Sequence, residues 1–348
     1  MKLLILFLIT SSCISCAKLT YLTSQSIEQI KLISTGDPIN EVINSTARTE
    51  QERVKLQNIL KYKIFFSEYL GEELGDTYSK VIFLDRENVS QLVISSSWEQ
   101  IKPLKECFLV VGCFPYLGFF EKEDAIHYRD KMRKNGFSSH IRPVNAYSTL
   151  GHFSDRVLSS FFNYSEAGLA NLIFHELVHS KIFFKNGVSF NENIANFIAE
   201  ELVSIYFKKT INDQDQEQKI RLIHQKVNQM ITKKVDEINR SMETVSSNEK
   251  KNTMKESIIK NFGNKFRSDL IETCKEHDVK ESICLSYDRK WTPSKLAAIG
   301  TYSMLQDSIR AYYRQRFTDI RSFYKYLKSE YLKGTQSNEM INLINQKQ

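Results

Sequence analysis

The 348-residue sequence contains no internal repeat and, beyond its first residues, no run long and apolar enough to span a bilayer. It has no dense block of lysine and arginine. The formal charge of +7 is mild for this length, and the lysines are spread along helical stretches, so nucleic-acid binding is not expected. With 41% hydrophobic and 26% charged residues, the composition is not that of a disordered chain. Cysteines are few, and the four beyond the N-terminal segment, Cys107, Cys113, Cys274 and Cys284, do not have the spacing of a zinc-cysteine motif.

The N-terminus has the form of a targeting segment. Lys2 supplies a positive start and Leu3 to Ile9 a short apolar run, followed by Cys13-Ile14-Ser15-Cys16. This resembles a bacterial lipobox with Cys16 as the lipidated residue and residues 1–15 as the signal peptide. Cys13 is the fallback, and a plain cleaved secretory signal is the competing reading. Each places the mature chain outside the cytosol, where the four remaining cysteines can form disulfides. Cys107–Cys113 and Cys274–Cys284 are the economical pairing, though spacing alone does not fix it.

Apolar periodicity predicts a mainly helical α+β protein: a helical core with a small mixed sheet in the middle of the chain. Residues 16–348 read as a single domain. Within it, helices are expected over 17–76, a small mixed sheet over 77–160 and two central helices over 161–210. A polar helical excursion covers 211–290, and C-terminal helices cover 291–348. The excursion reads as one or two exposed amphipathic helices.

The chemistry is concentrated in one stretch. Ser165 is a candidate N-cap for a helix over 166–184, ended by Lys185-Asn186-Gly187, and a second helix is expected to begin near Asn191. The first helix holds His175-Glu176-Leu177-Val178-His179. Four residues make about one turn, so both histidines share a face and can reach one metal. Glu176 lies where it can act as general base toward a water that a zinc ion has made acidic. A catalytic zinc needs a third protein ligand. Glu192, in the first turn of the next helix, is the choice, with Glu200 and Glu201 as rivals. The alternative, two histidines on an unrelated surface helix, leaves Leu172, Ile173, Phe174, Leu177 and Val178 unexplained. They mark a buried helix, where unpaired imidazoles and a carboxylate are costly. His127, His140, His224 and His277 have no partner at metal spacing and read as surface residues.

These residues are where the chain resembles a known family, the bacterial zinc aminopeptidases that are membrane lipoproteins with a His-Glu-Leu-x-His helix. The likeness covers most of the mature chain. It is strong over Cys107-Phe-Leu-Val-Val-Gly-Cys113 and Ala146-Tyr147-Ser148-Thr149-Leu150-Gly151, and strongest over Leu172 to His179 with Phe190-Asn191-Glu192. It resumes weakly at Leu296 to Tyr302. The resemblance implies one Zn2+ held by His175, His179 and Glu192, Glu176 as base, and a peptide substrate. Tyr147 and Tyr302 sit in family-like patches and are candidate oxyanion donors, while a core or surface tyrosine is the plainer reading of each. His152 is weighed the same way, as a cleft residue or a loop histidine. The resemblance also implies anchoring at Cys16 on the periplasmic face of the envelope, with a weak preference for the outer membrane. Oligomeric state is not indicated.

The chain departs from the family pattern at Ser180, at Thr292-Pro293-Ser294 and in the expanded lysine-rich stretch 212–273. It also lacks the Gly-x-Met-Glu-Asn element with which well-characterised glutamate-ligated aminopeptidases grip a free amine. A zinc endopeptidase, and a non-catalytic envelope interaction lipoprotein with structural zinc, are therefore the competing functions.

Overall fold

The structure is a computed structural model that describes residues 21–32, 34–108, 112–145, 155–185, 187–209, 211–243, 248–299 and 305–345. Cys16, Tyr147, His152 and Tyr302 lie outside the described residues. No helix among those described is long and apolar enough to cross a membrane.

The fold is mainly helical with a little sheet, as expected, but the sheet is divided into three small pieces. Strands β1 (Asp37–Pro38), β2 (Lys80–Ile82) and β8 (Val157–Leu158) form a mixed sheet in which β2 pairs antiparallel with β1 and parallel with β8. Strand β3 (Ser90–Ser96) lies between β6 (Leu117–Phe119) and β7 (Ser138–Val144), antiparallel to both. Strands β4 (Glu106–Phe108) and β5 (Gly112–Phe114) pair antiparallel, with Cys107 opposite Cys113 and disulfide-bonded to it. Cys274 and Cys284 are likewise bonded.

An N-terminal helix, α1 (21–32), docks on the β3 sheet and does not hang free as a tether. The Tyr21 hydroxyl donates to Gly118 O at 2.5 Å, and Gln25 accepts from the Phe120 N–H. The next helical stretch is two elements, α2 (Ile39–Asn44) and α3 (Glu50–Leu70). Thr49 starts α3 with a reciprocal capping box to Glu52, and Gly71 ends it in the left-handed region at φ 75°. Helix α4 (Lys122–Lys134) covers the β3 sheet.

Two central helices, α5 (Glu166–His179) and α6 (Val188–Tyr206), form the middle of the main core. Leu169, Ile173 and Leu177 on α5 are fully buried, each worth roughly 1.5–3 kcal/mol of transfer free energy. Helix α3 packs on α5. Helices α11 (Gln306–Arg316) and α12 (Ile320–Leu332) pack on α6, and α13 (Ser337–Asn345) packs on α11.

The polar excursion is α7 (Ile211–Glu243) and α8 (Asn248–Glu276), and here the expectation of exposed helices is corrected. Ile223, Val227 and Ile231 of α7 meet Phe262, Phe266 and Leu270 of α8 in a second core, which α9 (Glu281–Leu285) and α10 (Pro293–Ile299) join with Cys284, Leu296 and Ala297. Their apolar period is sparse because each helix buries only a narrow stripe, against the other.

Helix α10 is fastened to β7 by a polar knot. The Ser138 hydroxyl donates to Ser294 Oγ at 3.1 Å and accepts from the Ser294 N–H at 3.1 Å, while His140 Nδ1 lies 3.0 Å from Ser294 Oγ. His140 is thus not a surface residue. Burial, then the charges of Lys295, Arg142, Arg133 and Arg289, pull its imidazole down from 6.5 to about 4. Between those values the unfolded chain takes up a proton that the folded chain refuses, so stability falls as pH drops from 6.5 towards 4. We expect His140→Asn to remove about 1–2 kcal/mol of that loss, discounted for partial exposure. Urea unfolding at pH 7.5 and pH 4.5 checks this. An unchanged pH dependence in the variant would contradict it.

Candidate metal centre

Helix α5 starts where the sequence places it, with the Ser165 side chain accepting from the Gly168 N–H at 3.2 Å. It ends earlier than expected, at His179. The described residues between the two helices, 180–185 and 187, are not helical, and one side chain of α6 holds them. Asn191 Oδ1 accepts from the Phe184 N–H and Asn191 Nδ2 donates to Phe184 O, both at 2.8 Å and buried. A helix continuing through Phe184 would need those same backbone groups. Gly187 precedes α6 and does not cap α5. A Cβ on it would lie 2.3 Å from Ser337 Cβ, so glycine is there because α13 approaches closely.

This return sets Glu192 against the two histidines. His175 Nε2 lies 3.5 Å from one Glu192 oxygen and His179 Nε2 3.4 Å from the other. One donor atom from each residue falls within 4.8 Å of the other two, the only such group of three or more among the described residues. The cluster opens on one side: the His179 side chain is 3% exposed, His175 14% and Glu192 29%. The rivals are accounted for elsewhere, since Arg310 of α11 pairs with Glu200 at 3.1 Å and with Glu201 at 3.0 Å.

The electrostatics are those of a site short of a cation. Neither buried ring nitrogen of His179 makes a hydrogen bond, a costly state for an imidazole in the core. Burial acts against ionisation of both His175 and Glu192. The opposite charges and mutual hydrogen bonds outweigh it, raising the His175 imidazole and driving the Glu192 carboxyl well below its ordinary range. Glu176 is half-buried beside this group. Burial raises its carboxyl, and the neighbouring carboxylates of Glu192 and Asp155 act in the same direction. Two neutral-capable imidazoles and a carboxylate are a donor set that suits a divalent transition metal.

One family model, described as "Putative aminopeptidase", matches residues 20–340. The chain belongs to this family. No curated protein and no solved structure gives a significant match. Membership in this family makes peptidase activity the activity class of the chain.

Two residues near the cluster, Tyr78 and Asp155, carry no signal in the sequence, and Asn191 carries none for its structural task. Asn191 adjoins the acid but has no visible task until the loop closes on it. Tyr78 is fully buried at φ 56°, a backbone region uncommon for a side chain of its size. Its hydroxyl has no hydrogen-bond partner, and its N–H donates to Asp155 O at 2.8 Å. Burial, then the charges of Glu176 and Asp155, push the phenol well above its ordinary value, so it stays protonated. Only the fold brings residues 78, 155 and 176 together.

Replacing Asn191 by Ala strands the Phe184 N–H and C=O in the core. The expected loss is about 2–4 kcal/mol of stability in urea unfolding. A loss below about 0.5 kcal/mol, the range of neutral surface changes, would show that the clamp is dispensable.

Proposed function

We propose that the chain is a zinc-dependent peptidase of the aminopeptidase family, with one Zn2+ held by His175, His179 and Glu192. The convergence of those three donors beside the half-buried Glu176 is the observation that carries this reading. Zinc in such a set polarises a scissile carbonyl and brings the pKa of a bound water near 7.

The chain's own residues supply the rest. His175 and His179 present Nε2 from successive turns of α5, and Glu192 closes the set from α6. Glu176 takes the proton of the attacking water and returns it to the leaving amine. Burial raises its carboxyl, the direction that favours holding the proton before it is handed on. Tyr78, protonated and without an acceptor, acts as a positioning residue in the same buried field. Anchoring at Cys16, on the periplasmic face of an envelope, completes the proposal. The Cys16 thioether would hold the catalytic domain at the surface through the short segment before α1.

Hydrolysis of free and N-acetylated peptides by the zinc-loaded protein tests this. Glu176→Gln should keep the metal and lose about 10²–10⁴-fold in kcat, whereas Glu192→Ala should lose the metal itself. Equal turnover by wild type and Glu176→Gln would refute the assignment. Cleavage of N-acetylated peptides alone would make the enzyme an endopeptidase, in keeping with the missing Gly-x-Met-Glu-Asn element. Tyr78→Phe should leave the melting temperature unchanged or higher, because an orphan polar atom is removed, and lower kcat about tenfold at constant KM. If kcat is unchanged, Tyr78 has no positioning role.

A further inference from the structure

A second site lies on the excursion. A groove of about 960 Å³ runs between α8 and residues 288–293, which lead into α10, and no residue lining it belongs to α5 or α6. The two walls are joined at one end, since the Cys274–Cys284 disulfide ties α8 to α9 a few residues before Asp288. Across the groove Arg267 of α8 pairs with Asp288.

The floor is aromatic. Both tryptophans of the chain, Trp98 and Trp291, line it. Trp291 is 6% exposed and is backed by the rings of Phe262 and Phe266 at 5.8 and 5.3 Å. Its Nε1 is buried with no hydrogen-bond partner. Trp98 is held from the other side, because Asn239 of α7 accepts from the Ile101 N–H and donates to Ile101 O. The floor is therefore fixed on both sides.

The rim is cationic. Arg267 and Asp288 neutralise each other. That leaves Lys260, Arg289 and Lys290 against Glu256, and none of the three cations has a carboxylate partner among the described residues. Arg289 also lies over the Trp291 ring, 5.1 Å from its centre. Arg142 and Lys295, near His140, extend the same positive field on the β7 side. Like charges gathered in excess of their counter-ions raise the free energy of the fold and fall in cost when an anion arrives.

We infer that this groove binds an acidic peptide segment, with carboxylates on Lys260, Arg289 and Lys290 and an apolar side chain on the tryptophan floor. A polyphosphate or nucleic-acid strand fits less well, because Glu256 and Asp288 face the same space and the basic residues form no continuous track. A membrane surface also fits less well, because the tryptophans are recessed. The inference does not depend on the metal centre.

The two tryptophans make the groove self-reporting. Emission of the full-length protein is titrated with acetyl-Glu-Glu-Leu-Glu-Glu-amide, with its lysine counterpart, with inorganic phosphate and with vesicles containing anionic phospholipid. We expect a saturable emission change with the glutamate peptide that weakens with added salt. The double variant Arg289→Glu/Lys290→Glu, and independently Lys260→Glu on the other wall, should bind at least tenfold more weakly, while Lys61→Glu on α3 should bind as wild type does. Circular dichroism confirms that each variant is folded. No change with the glutamate peptide, an equal change with the lysine peptide, or a response confined to phosphate or vesicles would each overturn the inference. Because binding is read by fluorescence, the Glu176→Gln protein should respond as the wild type does. Failure here and failure of the peptidase assignment are thus separate results.

Discussion

The two hydrogen bonds between the Asn191 amide and the Phe184 backbone are the constraint on which the centre depends. They hold the segment after α5 off the helical path and set α6 with its second turn facing the first helix. Without that return, His175 and His179 would be two histidines on a buried helix with nothing to offset their desolvation. With it, a carboxylate reaches both, and the cost of burial is shared by an arrangement that accepts a cation. The remaining helices serve the same end: α3 and α12 pack the apolar faces, Arg310 occupies Glu200 and Glu201, and Ser337 closes over Gly187.

Strain and unsatisfied polarity collect near this point. The unbonded ring nitrogens of His179, the unbonded hydroxyl of Tyr78 and the positive φ of Tyr78 all lie around α5. Each is unfavourable for folding alone, and such costs are retained where a site requires them. The groove on α8 repeats the pattern at a distance, with a buried indole N–H and unpaired cations in one place. The shared feature is polar capacity that the chain itself does not fill.

The centre was largely legible in the sequence because its geometry is local. Histidines four apart on a helix must share a face, and Asn191-Glu192 lies only a short loop away. The helix ends were less legible. The Lys185-Asn186-Gly187 signal suggests a cap, but the clamp on Phe184 acts earlier and Gly187 answers to α13, 150 residues on. Tyr78 and Asp155 could not be found, because their relation to Glu176 exists only once β2 and β8 pair. The second core was missed for a related reason: a narrow apolar stripe on a lysine-rich helix looks the same whether it meets water or another such helix. His140 looked exposed because its partner, Ser294, is far away in the chain.

The most direct test of the central claim is X-ray absorption on the protein loaded with one equivalent of zinc. A first shell of nitrogen and oxygen only is expected, with scattering from two imidazoles, and Glu192→Ala should lower zinc affinity and change that shell. Sulfur in the shell, a single imidazole, or a spectrum unchanged by Glu192→Ala would contradict the assignment of His175, His179 and Glu192 as the metal-binding set.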